Sequence, residues 1–452
     1  MSDAVDTVLA NLAAVTTPTD AEREAMWLAV AELIERTEAA IADLGIEATV
    51  LHVGSTARGT WLSGDRDIDI FVRFPNGTDR EKLTDGGLSV GRAVLDDGKA
   101  NYAEHPYIAG TYDEFDVDIV PCVAVEDASL AETAVDRTPF HNEYVGNRLD
   151  EELTIDVRIA KHLLTNIDAY GSNLRTCGFG GYLLELLILE HDGIRPLLEE
   201  IVDWQPPVQY DLEDHAASSF DDPLVVIDPT DPNRNVAAVT AASQLARVQH
   251  YTRAFLDEPA SDTFTLPVRS PLSDAELIDE IETRGGELIA LIFDRPDLVD
   301  DQLWPQLRKT RAGISGELDR RGFDVLRTAT LATDNRLALL FECAVPKLSR
   351  IERHEGPPLA FKAHAERFLE TYRGEEAVYG PFIEGDRYVI ERERTIRTPR
   401  AFLASDRLFD VRIGDQLEPV LESGYDVLID EDLIELLPSF GEELSAYFEP
   451  TP

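Results

Sequence analysis

The sequence holds 452 residues, 44% of them hydrophobic, with 87 acidic against 41 basic side chains and a formal net charge of -46. That length accommodates roughly two to four domains of about 100–200 residues each, and the hydrophobic share is that of a globular protein. There is no run of eighteen apolar residues, and the N-terminal stretch MSDAVDTVLANLAAV is acidic where a secretory signal is basic; both features argue against a membrane span or leader and predict a cytoplasmic protein.

The acid is dispersed along the whole chain. Lys82, Lys99, Lys161, Lys309, Lys347 and Lys362 are the only lysines, so arginine supplies nearly all the positive charge. In molar salt the Debye length falls to about 3 Å, so scattered surface carboxylates repel weakly and keep the protein hydrated. The composition predicts a halophilic protein of a salt-rich cytosol, with an acidic protein that binds basic partners as the competing reading; an activity series in KCl that peaks in dilute buffer would contradict the first. Cys122, Cys177 and Cys343 are widely spaced without a CxxC pair, which suits reduced thiols and neither a disulfide framework nor a zinc site.

TPTDAEREAMWLAVAELIERTEAAIADLG opens on a capping box, Thr19 to Glu22, and keeps a helical period to Leu44, with Gly45 as its stop. A strand, ATVLHV, runs into Gly54-Ser55, and DIDIFVRF is a second strand closed by Pro75-Asn76-Gly77. A charged helix over 79–95 follows, then the extended runs HPYIAGTY and EFDVDIVPCVAV. Helix, strand, strand, helix, strand, strand predicts an α+β domain with a small mixed sheet over residues 1–150.

Residues 151–261 turn helical. DVRIAKHLLTNI, GGYLLELLILEHDGIRPLLEEI and VAAVTAASQLARVQHYTRAFLDEPA repeat apolar residues at three and four, as in a bundle. Residues 262–345 alternate helix and strand through TFTLPVRS, DAELIDEIETRG, GELIALIF, QLWPQLRKTRAGISGELDRRG, FDVLRTATLA and RLALLFECAV, an α/β module. Residues 346–452 form a tail with HAERFLETYRG, RYVIERERTIRTPRAFL and an acid-rich end.

The chemistry concentrates in GSTARGTWLSGDRDIDIFVRFP. Asp67 and Asp69 alternate with Ile68 and Ile70, so in an extended chain both carboxylates share one face. In EFDVDIVPC, Phe115, Val117 and Ile119 take one side while Asp116 and Asp118 take the other. Two such strands side by side gather three carboxylates, Asp67, Asp69 and Asp118, of the kind that hold two magnesium ions roughly 3.5–4 Å apart. The Gly54-Ser55 turn offers backbone N–H groups and a hydroxyl to phosphate. Asp65 belongs to the solvated loop, since Arg66 breaks the apolar alternation.

Gly54-Ser55, Asp67-Ile68-Asp69-Ile70 and Asp118-Ile119-Val120-Pro121 together resemble the catalytic core of the polymerase-β-like nucleotidyltransferases. GSTARGTWL, AEHPYIAGTY, AVDRTPFHNEYV, RIAKHLLTNIDAYGSNLRTCGFGGYLLELLI and DPTDPNRNVAAVTAASQLARV narrow the resemblance to the archaeal class of CCA-adding enzyme, a tRNA nucleotidyltransferase. The resemblance implies a polymerase-β-like palm, a helical central domain completing the nucleotide site, and an RRM-like α/β domain with a tail that holds tRNA. It implies addition of C, C and A to the tRNA 3′ end from CTP and ATP with Mg2+, without a nucleic-acid template. By motif position Asp67, Asp69 and Asp118 become the metal carboxylates, Asp118 helping to deprotonate the primer hydroxyl, while Gly54, Ser55 and Arg58 hold the triphosphate. Thr138 and His141 resemble nucleotide-site residues, Lys161 and Tyr170 lie near triphosphate and sugar, and Arg234 reads the base edge in concert with tRNA phosphates. A poly(A) polymerase, another enzyme of the superfamily, and a catalytically silent RNA-binding relative are the competing readings.

Net charge does not decide whether so acidic a chain binds RNA; local patches do. One candidate patch is Arg308, Lys309 and Arg311 with Arg320 and Arg321 further on, and a second is Arg387 to Arg400. Within the second, Arg392, Arg394 and Arg400 read as one strand face, with Glu391 and Glu393 opposite. Pairing of these arginines with the abundant acid is the competing expectation. His105, in AEHPY, has either an RNA contact or a structural role.

Overall fold

The computed structural model describes residues 2–102, 105–374 and 378–452, so the first two residues of AEHPYIAGTY lie outside it. Contacts divide the chain into two units, one up to Leu266 with Pro452 and one from Pro267 to Thr451. Among the described residues no helix is long and apolar enough to cross a membrane. Cys122 and Cys343 are buried, Cys177 is half-buried, and all three are free thiols.

The first unit runs α1 (Ser2–Thr16), α2 (Asp20–Leu44), β1 (Thr49–Val53), α3 (Gly54–Arg58), β2 (Asp67–Phe74), α4 (Arg80–Val94), β3 (Lys99–Tyr102), β4 (Pro106–Tyr112), β5 (Phe115–Val123) and α5 (Ala134–Gly146). Thr19 and Glu22 form the expected capping box, and Gly45 ends α2 in the left-handed conformation. The five strands form one mixed sheet in the order β1-β2-β5-β4-β3, with β2 and β5 parallel and the other pairs antiparallel. Alternation then does the rest. Ile68, Ile70, Val72, Val117 and Ile119 pack on Met26 and Leu33 of α2 and Leu83 and Val90 of α4. The opposite face carries Asp67, Asp69, Asp116 and Asp118 at one end and an apolar patch of Val53, Phe71, Val120 and Cys122.

The same unit continues with α6 (Glu151–Asn166), α7 (Gly181–His191), α8 (Ile194–Ile201), β6 (Val208–Tyr210), β7 (Leu224–Asp228), β8 (Asp231–Asn235) and α9 (Ala242–Asp257). One core joins these helices and also takes Val5, Leu9 and Leu12 of α1, a stretch whose sequence reads mainly as acid. Two expected helices are shorter than their periodicity suggests. GGYLLELLILEHDGIRPLLEEI breaks where Asp192 and Gly193 take φ of 60° and 135°, and α9 starts only at Ala242. Its expected first turns, residues 236–241, form a turn after β8 instead, because Asn235 Oδ1 accepts the N–H groups of Val226 and Ala237, each at 2.9 Å, and holds the chain in a hairpin with β7.

The second unit runs α10 (Asp274–Arg284), β9 (Glu287–Asp294), α11 (Asp300–Arg321), β10 (Val325–Ala332), β11 (Arg336–Cys343), β12 (Ile351–Pro358), α12 (Lys362–Tyr372), β13 (Val378–Glu384), β14 (Arg387–Glu393), α13 (Pro399–Leu403), α14 (Glu418–Ser423), β15 (Asp426–Ile429) and α15 (Leu437–Phe448). Its main sheet is antiparallel in the order β10-β11-β9-β15. That order and the β-α-β-β connection are RRM-like. The small sheet β12-β14-β13 is inserted before the last strand, and β15 comes from the segment whose sequence reads as tail.

Both faces of the main sheet are covered, which explains continuous apolar runs such as ELIALIF. Ile289, Leu291 and Phe293 pack against Leu303, Leu307 and Ile314 of α11. Leu288, Ala290 and Ile292 pack against Leu277 of α10 and Phe440 and Leu444 of α15. An RRM stacks RNA bases on an open sheet face; here that face is core.

Candidate active site

Register puts the carboxylates together. Asp67 pairs with Asp116 and Asp69 with Asp118 across the parallel β2/β5 ladder, and Val53, just before the Gly54 turn, pairs with Asp69. Gly54 has φ +80°, and a Cβ there would stand 2.2 Å from Asp69 Oδ2, so only glycine lets the turn and the carboxylate approach this closely. Asp65 lies in the loop before β2, where its carboxylate accepts the Leu62 N–H at 2.7 Å.

Like charge and burial act on these groups together. Burial, and then Asp67, push Asp69 up to about 6 against the pull of Arg58. Burial, then Asp69, Asp67 and Asp116, push Asp118 up to about 6, and burial with Asp65 and Asp116 raises Asp67. Hard oxygens gathered on adjacent strands fit a divalent cation that also takes phosphate and water ligands. Among the described residues, no three carboxylate, imidazole or thiol groups are close enough to enclose an ion by themselves.

A pH dependence follows. Asp69 and Asp118 titrate higher in the folded chain than their ordinary 3.8, so their favourable contribution is full below about pH 4 and is lost as pH rises through about 6. In chelator the melting temperature should therefore fall over that window. A millimolar divalent cation should restore it at pH 7.5 and do little at pH 4.5, as read by thermal denaturation; equal cation effects at both pH values would contradict the assignment.

Beside the carboxylates, α3 carries the half-buried Ser55 and ends on Arg58. The Arg58 guanidinium is pinned, Nε lying 3.0 Å from Glu185 and Nη1 3.2 Å from Asn142 Oδ1. Glu185 is wholly buried on α7 and also accepts the Thr60 hydroxyl at 2.6 Å. Lys161 of α6 is 3% exposed and donates to the Thr60 carbonyl at 2.9 Å; burial lowers it to about 8, opposed by Glu185. A Cβ on Gly181 would lie 3.2 Å from the Tyr170 hydroxyl and 3.7 Å from Lys161 Nζ, so Tyr170 and Lys161 converge over that glycine. Burial pushes the Tyr170 phenol up to about 12.

A second polar cluster brings His141 of α5 and Arg234 of β8 to one carboxylate. Asp228 Oδ2 accepts from His141 Nε2 at 2.9 Å and from Arg234 Nη1 at 2.8 Å. Tyr182 stacks on His141, with ring centroids 4.0 Å apart, and its hydroxyl donates to Asp228 Oδ1 at 3.2 Å. Burial holds His141 below its ordinary value against the pull of Asp228. Burial opposes ionisation of Asp228, but His141, Thr230 and Arg234 outweigh it and hold the carboxyl well below its usual range. Thr138 sits one turn before His141 with its hydroxyl on the Ala134 carbonyl at 3.3 Å.

Sequence reasoning passed over Asp228, Glu185, Tyr182 and Asn142. Two left a signal: Glu185 interrupts GYLLELLILEH, and Asp228 closes the buried run LVVID, so each is a lone carboxylate inside an apolar stretch. Their partners lie far away in sequence, which local patterns do not reveal.

His105 is 6% exposed and faces Thr133 Oγ1 at 3.4 Å and Asp136 at 3.7 Å, the setting of a structural histidine. Several basic residues of the two expected patches are engaged with acid or with the fold. Arg392 meets Glu352 at 2.7 Å and Arg394 the same residue at 3.5 Å. Arg311 donates to Thr330 at 3.2 Å, Lys309 pairs with Asp415, and Arg320 and Arg321 pair with Glu317. Arg308 is half-buried on α11. Arg400 departs from expectation: β14 stops at Glu393, and Thr398 caps α13, which carries Arg400 off the strand face.

A mixed sheet that aligns aspartates beside a Gly-Ser turn, with a helical partner closing over it, defines a polymerase-β-like nucleotidyltransferase. Residues 34–141 match the nucleotidyltransferase domain model, 155–265 the tRNA nucleotidyltransferase second domain, and 284–430 the C-terminal domain of CCA-adding enzymes. The chain is 49% identical over 466 residues to the CCA-adding enzyme of Haloarcula marismortui and 50% over 462 residues to that of Halorubrum lacusprofundi, covering 100% of both chains in each case. The CCA-adding enzyme of Methanosarcina barkeri is 37% identical over 91% of both chains. The chain belongs to the CCA-adding enzyme family.

Proposed function

We propose that this chain adds C, C and A to the 3′ end of tRNA from CTP and ATP, releasing pyrophosphate and using no nucleic-acid template. The observation that carries the reading is the in-register pairing of Asp69 with Asp118 beside Gly54, in a chain whose length is spanned by CCA-adding relatives. Asp67, Asp69 and Asp118 are the residues that would hold Mg2+, which when bound supplies Lewis acidity and charge compensation for the triphosphate. Asp118, ionised above about pH 6, accepts the proton of the primer 3′-hydroxyl. Ser55 and the Gly54 turn bind phosphate oxygens, and Arg58 and Lys161, held by Glu185 and Thr60, place fixed positive charge beside them. Tyr170 orients the sugar, Thr138 and His141 line the nucleotide site, and Arg234 offers guanidinium donors to the base edge.

The experiment is stepwise. tRNAs lacking their last three, last two and last one nucleotides are each supplied with one nucleoside triphosphate in high-salt buffer with Mg2+. CTP should extend the first two and ATP only the third. Repeated ATP addition would identify a poly(A) polymerase, and tRNA binding without incorporation would identify a silent relative.

A further inference from the structure

Asp228 ends β7, a strand whose five residues are all buried, and its carboxylate has no exposed surface. It nevertheless stays ionised, because every acceptor direction is filled. Oδ1 takes the Thr230 N–H at 2.9 Å, the Thr230 hydroxyl at 2.8 Å and the Tyr182 hydroxyl at 3.2 Å. Oδ2 takes His141 Nε2 and Arg234 Nη1, and the Asp228 carbonyl lies 3.0 Å from His215 Nε2. A carboxylate this buried is costly unless its partners are held in place, so the hairpin, α5 and α7 are locked onto one carboxylate.

We propose that Asp228 is the positioning residue for nucleotide selection, tying His141 and Arg234 into one rigid unit through Oδ2. The inference rests on the reading above that these two side chains face the nucleotide. Arg234 spends one nitrogen on Asp228 and keeps 31% of its side chain exposed, so its remaining donors point from a fixed anchor. His141 donates through Nε2–H to Asp228, which leaves Nδ1 as the acceptor of the imidazole. The stacked Tyr182 ring fixes the plane of that imidazole. An unanchored guanidinium would swing and satisfy any base edge, so the anchor's contribution lies in discrimination more than in turnover.

The test is Asp228→Asn, an isosteric change that removes the charge and one acceptor, assayed by single-nucleotide addition of ATP, CTP, GTP and UTP to tRNA lacking only its terminal A. The preference for ATP over GTP and UTP should fall by about tenfold or more, with KM for ATP rising more than kcat falls. Arg234→Ala should show the same loss, and Asp228→Asn/Arg234→Ala no additional loss, because the two act as a unit. Lost preference in Arg234→Ala but intact preference in Asp228→Asn overturns this proposal alone; intact preference in both overturns the site reading on which it rests. Thr230→Val loosens the Oδ1 side only: a lower melting temperature with preference kept supports positioning through Oδ2, and preference falling in step with stability overturns it. Should Asp228→Asn fail to fold, Arg234→Lys serves, since an ammonium lacks the planar fork that spans Asp228 and the base from one anchor; undiminished selectivity there overturns the proposal.

Discussion

Asp118→Ala and Asp69→Ala should each lower nucleotide addition by at least about 10³-fold, equivalent to ~4 kcal/mol on the barrier, while tRNA affinity changes little. The register makes the two equivalent: they face each other across β2 and β5, so either loss leaves a single aligned carboxylate beside the Gly54 turn. Stability should move the other way. Each carboxyl is pushed up to about 6 by burial and by its neighbours, so above that pH, without cation, the fold carries repulsion that the alanine variants relieve. The paired measurements are single-turnover incorporation and thermal melting in chelator at pH 7.5. A variant that is inactive and more stable fits a functional site that stores repulsion; a variant with near-normal turnover would remove the carboxylates from the chemistry.

Gly54→Ala is the second large effect, and it arises without touching a charged group. The new Cβ would stand 2.2 Å from Asp69 Oδ2 and 3.1 Å from its Cγ, in a backbone with φ +80°. Left-handed backbone costs an L-residue roughly 1–2 kcal/mol, which a folded chain tolerates. Displacing the carboxylate is the heavier consequence, since misplacing a reacting group by about 1 Å can cost about 10²-fold. Incorporation should therefore fall by about 10²-fold while circular dichroism and cooperative melting are retained. Unimpaired incorporation would show that Asp69 need not lie against the turn.

What the sequence discloses here is what local geometry dictates. A strand's period of two is enough to place Asp67 and Asp69 on one face of β2 and Asp116 and Asp118 on one face of β5, and the apolar partners Ile68, Ile70, Val117 and Ile119 do lie in one core on the other side. The capping box at Thr19 and the glycine stop at Gly45 are equally local. Long-range pairings are invisible to that logic. Arg58 reads as a phosphate ligand, but its hold on Glu185 joins a palm turn to a helix of the central bundle. Arg234 and His141 read as separate nucleotide residues, and Asp228 between them is a carboxylate in an acid-rich chain until burial sets it apart. The RRM-like order likewise depends on β15, which joins β9 only after an entire inserted sheet. Alternation does not extend to Arg400, because the strand pairing with β12 ends at Glu393.

The most direct test of the whole account offers the protein all four nucleoside triphosphates at once, with Mg2+ and molar KCl, on a tRNA lacking its last three nucleotides. Sequencing the products should show C, C and A added in that order and then arrest, with U and G absent. Tails of indefinite length, or three nucleotides of mixed identity, would contradict the assignment of this site to CCA addition.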